Sequence, residues 1–211
     1  PPPARPAMVQ QRRGAEIRFR PAGEEIVSPL WALAAAVWLV GASPQAIQGG
    51  PAKTEKAVLA GGCFWCVESD FEKVTGVVSA ESGYTGGHVI RPGYKQVSGG
   101  GTGHVEAVRI TYDPAKIDYA QILDVFWRAI DPTDATGQFC DHGDQYRSAI
   151  FYLDEMQKSL AEIAKRELES DKPFKGPVVT EIKPAGTFYP AEEYHQDYYK
   201  KNPIRYRYYR S

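Results

Sequence analysis

Between residues 56 and 210, short apolar runs alternate with amphipathic stretches, the pattern of strands interleaved with helices. Ala57-Val58-Leu59-Ala60 is a brief apolar run closed by Gly61-Gly62, and Phe64–Lys73 follows with helical character. The chain around Cys63 is therefore expected to pass from a strand through a tight turn into a helix start. Val77–Ser82 reads as a second strand, and the glycine-rich stretch Gly83–Gly103 as a long loop, a feature that in compact domains is either disordered or functional. Val105–Tyr112 alternates as a strand and stops at Asp113-Pro114. Asp118 with Gln121 forms a capping-box pattern ahead of an apolar stripe of Tyr119, Ile122, Leu123, Phe126 and Ile130. After a loop over Asp131–Gln145 comes a strand over Ser148–Leu153, then a helix capped by Asp154 and Gln157 with Met156, Leu160, Ile163, Ala164 and Leu168 as its expected buried stripe. Val178–Ile182 reads as a further strand, and Pro190 is placed to open a last helix through Tyr199. These elements predict an α+β fold, a two-layer α/β plait with a ferredoxin-like core and long irregular loops, over residues 51–211.

Composition fits one globular domain: 211 residues, 43% hydrophobic and 24% charged. A formal net charge of -1 and the lack of any long Lys or Arg run argue against a nucleic-acid partner, and a monomer is expected. Residues 1–50 differ from the rest. Arg12, Arg13, Arg18 and Arg20 precede the apolar run Leu30–Val40, which is followed by Gly41, Ala42 and Ser43, the order of a secretory signal peptide with cleavage after Ala42. That run is shorter than the roughly 20 residues of a spanning helix, so no stable membrane span is expected. A periplasmic or secreted location follows if the signal operates, and a cytoplasmic one otherwise.

Three cysteines are too few for a disulfide scaffold, so their positions carry the information. Cys63 stands at a helix entrance, where unpaired backbone N–H groups and the helix dipole stabilise a thiolate and pull its pKa from about 8.5 to about 7.5 or lower. Phe64 and Trp65 put large apolar surface beside that sulfur. Cys66, three residues on, shares the helix face and suits a pair cycling between dithiol and disulfide, although inward packing beside Val67 is the alternative. Glu106 has the strand parity of Val108, Ile110 and Tyr112; on a buried face its pKa rises and it serves as a general acid, whereas on a wet face it is only a surface carboxylate. Asp141 lies in a polar loop with Cys140, His142 and Tyr146. Cys63, Cys66, Cys140 and His142 together make a possible zinc set, but the Cys-x-His spacing is unusual and redox chemistry ranks above it. A plain thiol-disulfide exchanger would share the Cys-x-x-Cys turn.

Gly61-Gly62-Cys63-Phe64-Trp65, Gly83-Tyr84-Thr85-Gly86-Gly87, Thr102 to Val108, Asp141-His142-Gly143 with Gln145 to Ser148, and His195 with Lys201-Asn202-Pro203 resemble the peptide methionine sulfoxide reductase A family, in order from about Val58 to Pro203. The resemblance implies reduction of methionine S-sulfoxide, free or in peptides, as repair after oxidative stress, with no bound cofactor or metal. It assigns Cys63 as nucleophile, Phe64 and Trp65 as the wall around the substrate methyl, Glu106 as the acid that protonates the oxygen, Tyr94 and Tyr146 as phenols that bond that oxygen, and Asp141 as a polar organiser. It also implies a sulfenic acid on Cys63, then a redox-active disulfide reduced by thioredoxin or a similar partner. Many members resolve the sulfenic acid with a cysteine in a Gly-rich C-terminal tail, but Ile204–Ser211 holds none. Cys66 stands where many relatives have Gly, but some members carry this internal pair, so the resemblance implies Cys66 as the resolving thiol, with Cys140 second.

Overall fold

The computed structural model describes residues 53–171 and 174–210; the signal-peptide reading falls outside them. The chain runs β1 (Glu55–Ala60), α1 (Phe64–Phe71), β2 (Val77–Thr85), α2 (Tyr94–Ser98), β3 (Val105–Tyr112), α3 (Tyr119–Ala129), β4 (Gly137–Gln138), β5 (Asp141–His142), β6 (Ala149–Tyr152), α4 (Glu155–Ser170), β7 (Glu181–Pro184), β8 (Tyr189–Pro190), α5 (Tyr198–Lys201) and α6 (Pro203–Arg210). A 3-10 turn, Asp144–Tyr146, links β5 to β6. The main sheet has the order β7-β6-β1-β3-β2-β8, and β4 pairs with β5 apart from it. Every neighbour in the main sheet is antiparallel except β6 with β7. The β6-β1-β3-β2 order, with α1 and α3 as connecting helices, is the βαββαβ core of a split plait, as the sequence predicts.

Alternation along β3 explains both sides of the sheet. Val108, Ile110 and Tyr112 face the main core with Leu59, Phe71, Ile122, Leu123 and Phe126, while Val105 and Ala107 join a smaller cluster with Val58, Ala60 and Phe151. Helix α3 starts as its capping box predicts: Asp118 Oδ1 accepts from Gln121 N–H at 2.8 Å and Gln121 Oε1 accepts from Asp118 N–H at 3.0 Å. No helix among the described residues is long and apolar enough to cross a membrane.

Four local expectations change. Helix α4 keeps only part of the expected stripe: Leu160 and Ala164 pack against the main core beside the buried Gln157 and Ala161, whereas Met156 and Ile163 are exposed. The cause is Gln157, whose amide donates to Lys56 O at 2.7 Å and accepts from Leu153 N–H at 3.0 Å, fixing the helix rotation by hydrogen bonds. The expected helix from Pro190 to Tyr199 is also replaced. Pro190 pairs with Gly83 in β8, and Asp197 is left-handed with φ 53°, so helix begins only at Tyr198. Side chains compete for the backbone there: Gln196 bonds both Ser82 N–H and Ser82 O, and Asp197 N–H goes to the buried Glu68 carboxylate. Finally, the expected Gly83–Gly103 loop is partly regular, since β2 runs on to Thr85 opposite Val105 and α2 lies within it. The strand expected at Val178–Ile182 shifts to Glu181–Pro184.

Gly62 sets the approach to Cys63. Its φ is 87°, and a Cβ there would lie 2.6 Å from Gln138 Cβ. Gly62→Ala should therefore destabilise the fold by about 2 kcal/mol or more, through left-handed strain and overlap together, read as a drop in thermal midpoint.

Candidate active site

Cys63 is the residue before α1, with φ -56° and ψ 117°; its carbonyl accepts from Cys66 N–H and Val67 N–H, and its side chain is buried. Glu106 comes from β3, paired with Tyr84, and is 2% exposed. The two elements meet at one bond: Phe64 N–H donates to Glu106 Oε2 at 3.0 Å. Burial pushes the Glu106 carboxyl up to about 8, against the Phe64 hydrogen bond that favours its ionised form. At neutral pH the acid holds its proton.

Tyr94, at the start of α2, and Tyr146, in the 3-10 turn, complete this side. Burial and then the charge of Glu106 raise both phenols, each also feels Cys63, and they hydrogen-bond to one another. Glu192 fixes Tyr94 in place, accepting from Tyr94 N–H at 2.9 Å on one oxygen and from Tyr84 O–H at 2.9 Å on the other. The apolar wall is Phe64 and Trp65. Trp65 stacks on Tyr198 at 3.7 Å and 6°, and its indole N–H donates to His195 Nδ1 at 3.0 Å. Burial lowers the pKa of His195, so the ring is neutral and free to accept on Nδ1.

The thiols depart from the sequence expectation. A hydrogen bond to Cys66, then burial and the Glu106 charge, push the Cys63 thiol well above its ordinary range, while the bond from Cys63 and, more weakly, the Arg210 charge lower Cys66. The expected help from the helix start does not reach sulfur, because the Phe64 amide of α1 is given to Glu106. The structure thus joins Cys63, Cys66, Glu106, Phe64, Trp65, Tyr94, Tyr146 and Asp141, the last accepting a hydrogen bond from Tyr209 O–H. Cys140 is exposed, at the turn between β4 and β5. His142 bonds Thr136, and the zinc set does not assemble: among the described residues the metal-capable group is Glu68, Glu72 and Asp197, whose Glu72 and Asp197 carboxylates Lys200 already pairs. Sequence reasoning gave no role to Glu192, His195, Tyr198, Tyr209 or Arg210. The aromatic and arginine density of Tyr206-Arg207-Tyr208-Tyr209-Arg210 was the only signal for the last two.

The peptide methionine sulfoxide reductase model matches residues 55–211. The chain belongs to this family. A peptide methionine sulfoxide reductase MsrA of Listeria monocytogenes serotype 4a is 55% identical over 152 residues, covering 72% of this chain and 86% of the relative. Among solved structures, Mxr1 from Saccharomyces cerevisiae in reduced form is similar with TM-score 0.68 and 34% identity, covering 76% of this chain and 92% of that one. Methionine sulfoxide reductase A of Corynebacterium diphtheriae is similar with TM-score 0.64 and 32% identity, covering 76% and 82%. The mixed sheet with helices seen here is the fold of these reductases.

The raised Glu106 carboxyl couples stability to pH. The folded chain keeps a proton from about pH 4.5 to about 8 that the unfolded chain gives up, so this residue's contribution is whole below pH 4.5 and is lost as pH rises through 8. Urea unfolding at pH 5 and pH 9 should show a larger loss for the parent than for Glu106→Gln.

Proposed function

We propose that this chain reduces methionine S-sulfoxide, in peptides and free, to methionine, and that Cys63 is the nucleophile. The observation that carries this reading is a buried carboxylic acid, Glu106, held protonated on the amide next to a buried thiol, with two phenols facing both. A simple thiol-disulfide exchanger needs neither acid nor phenols.

In this reading Tyr94 and Tyr146 hydrogen-bond the sulfoxide oxygen, and the apolar Phe64–Trp65 wall takes the methyl group. Glu106 gives its proton to that oxygen as the Cys63 sulfur attacks the sulfoxide sulfur. The oxygen then passes to the Cys63 sulfur as its bond to the substrate sulfur breaks, the new bond between the two sulfurs breaks with it, methionine leaves as the thioether, and Cys63 is left as sulfenic acid. Cys66, hydrogen-bonded to Cys63 and beside the Arg210 cation, attacks the sulfenic sulfur; water leaves and a disulfide forms. A thioredoxin-like dithiol then returns both cysteines to thiols and is itself oxidised. The exposed Cys140 has no such contact with Cys63, which favours Cys66 as the resolving thiol.

Cys63→Ser should abolish reduction of a methionine sulfoxide peptide with dithiothreitol, since an alcohol stays protonated at neutral pH. Cys66→Ser should complete one turnover and fail to cycle with thioredoxin; sustained cycling would move resolution to Cys140. The rate should fall as pH rises through about 8, where Glu106 loses its proton, and Glu106→Gln should be slow at every pH with binding largely kept.

A further inference from the structure

The end of helix α6 is tied to α1 by hydrogen bonds from Arg210. The Arg210 guanidinium donates to Cys66 O at 3.3 Å, to Asp70 Oδ2 at 2.8 Å and to Tyr206 O–H at 3.0 Å. This anchoring carries Tyr209 over Cys63. Its ring meets Trp65 edge-on at 6.1 Å, and its hydroxyl donates to Asp141 Oδ2 and stands within hydrogen-bonding reach of the Cys63 sulfur. A phenol carries one proton, so the hydroxyl serves one of these acceptors at a time.

The groups facing Cys63 leave it short of support for negative charge. Cys66 on α1 and Glu106 on β3 oppose its ionisation, as does burial. Asp141 on β5 is an acid, and Tyr94 and Tyr146 feel the Cys63 charge without a hydrogen bond to its sulfur. Arg210 is engaged by Asp70 and by the Cys66 carbonyl, and the Phe64 amide by Glu106. Tyr209 is the neighbour whose hydrogen bond favours the ionised sulfur. We propose that Tyr209 is a further catalytic residue of the sulfoxide reduction: its hydroxyl turns from Asp141 to the Cys63 sulfur and donates the hydrogen bond that lets the nucleophile carry charge. This rests on the reductase reading and adds to it a donor supplied by α6.

Carbamidomethylation of Cys63 by iodoacetamide, followed across pH by mass spectrometry of the Cys63 peptide, tests this without any sulfoxide. Tyr209→Phe keeps the ring on Trp65 and removes only the hydroxyl. Its Cys63 rate at pH 7 should fall roughly tenfold, with the profile moved up by about one pH unit and kcat for sulfoxide reduction falling more than KM rises. Tyr208→Phe, one residue earlier and 85% exposed, should leave the profile where it was. An unmoved profile in Tyr209→Phe overturns the proposal, and so does an equal shift in Tyr208→Phe, which would mean only that α6 had loosened. Sulfoxide turnover by the parent, measured alongside, tests the reductase reading separately: if it is absent, that reading fails whatever the alkylation shows.

Discussion

The hydrogen bond from Phe64 N–H to Glu106 Oε2 is the joint on which the site depends. It fastens the first turn of α1 to β3, which lies between β1 and β2 in the sheet. One bond therefore sets the distance between thiol and acid. It also offers a carboxyl, 2% exposed, one of the few partners that compensates its removal from water. Burial still wins, so the group keeps its proton and becomes a donor instead of a fixed charge.

That choice has a consequence for Cys63. A helix start has a limited number of free amides, and an amide spent on a carboxyl is not available to a sulfur. The usual device for activating a cysteine is diverted toward the acid, and the thiol sits high in its resting surroundings. Protonation of Glu106 removes one of the charges that oppose the thiolate, so the protonated carboxyl and the ionised sulfur favour each other. Support from elsewhere is what the Tyr209 hydroxyl is placed to give.

Much of the remaining geometry comes from the C-terminal segment. His195 and Tyr198 hold the Trp65 indole on two sides, by a hydrogen bond and by stacking. Glu192 ties Tyr94 to Tyr84, and Arg210 ties α6 to α1. These partners lie roughly a hundred residues or more from most of the side chains they position, so the surroundings of the site are assembled only when residues 192–210 reach back to α1, β2 and α2.

The sequence by itself determined the elements whose signals are local. These are the strand alternation that puts Glu106 on the face of Val108 and Ile110, the capping box of α3, and the Gly61-Gly62 turn that delivers Cys63 to α1; that this face of β3 is buried was left to the fold. Periodicity and capping act over a few residues, so they can be read from a few residues. Tertiary structure alone decided the rotation of α4, the breaking of the chain at Asp197, the ionisation of Cys63 and the arrival of Tyr209. For three of these a polar group from a distant segment, Lys56 O, the Glu68 carboxylate or Asp141, competes for a donor, and for Cys63 the neighbouring Cys66 acts together with burial and the Glu106 charge. Hydrogen-bond competition and desolvation depend on what folding brings within a few ångströms, and no window along the chain contains that information.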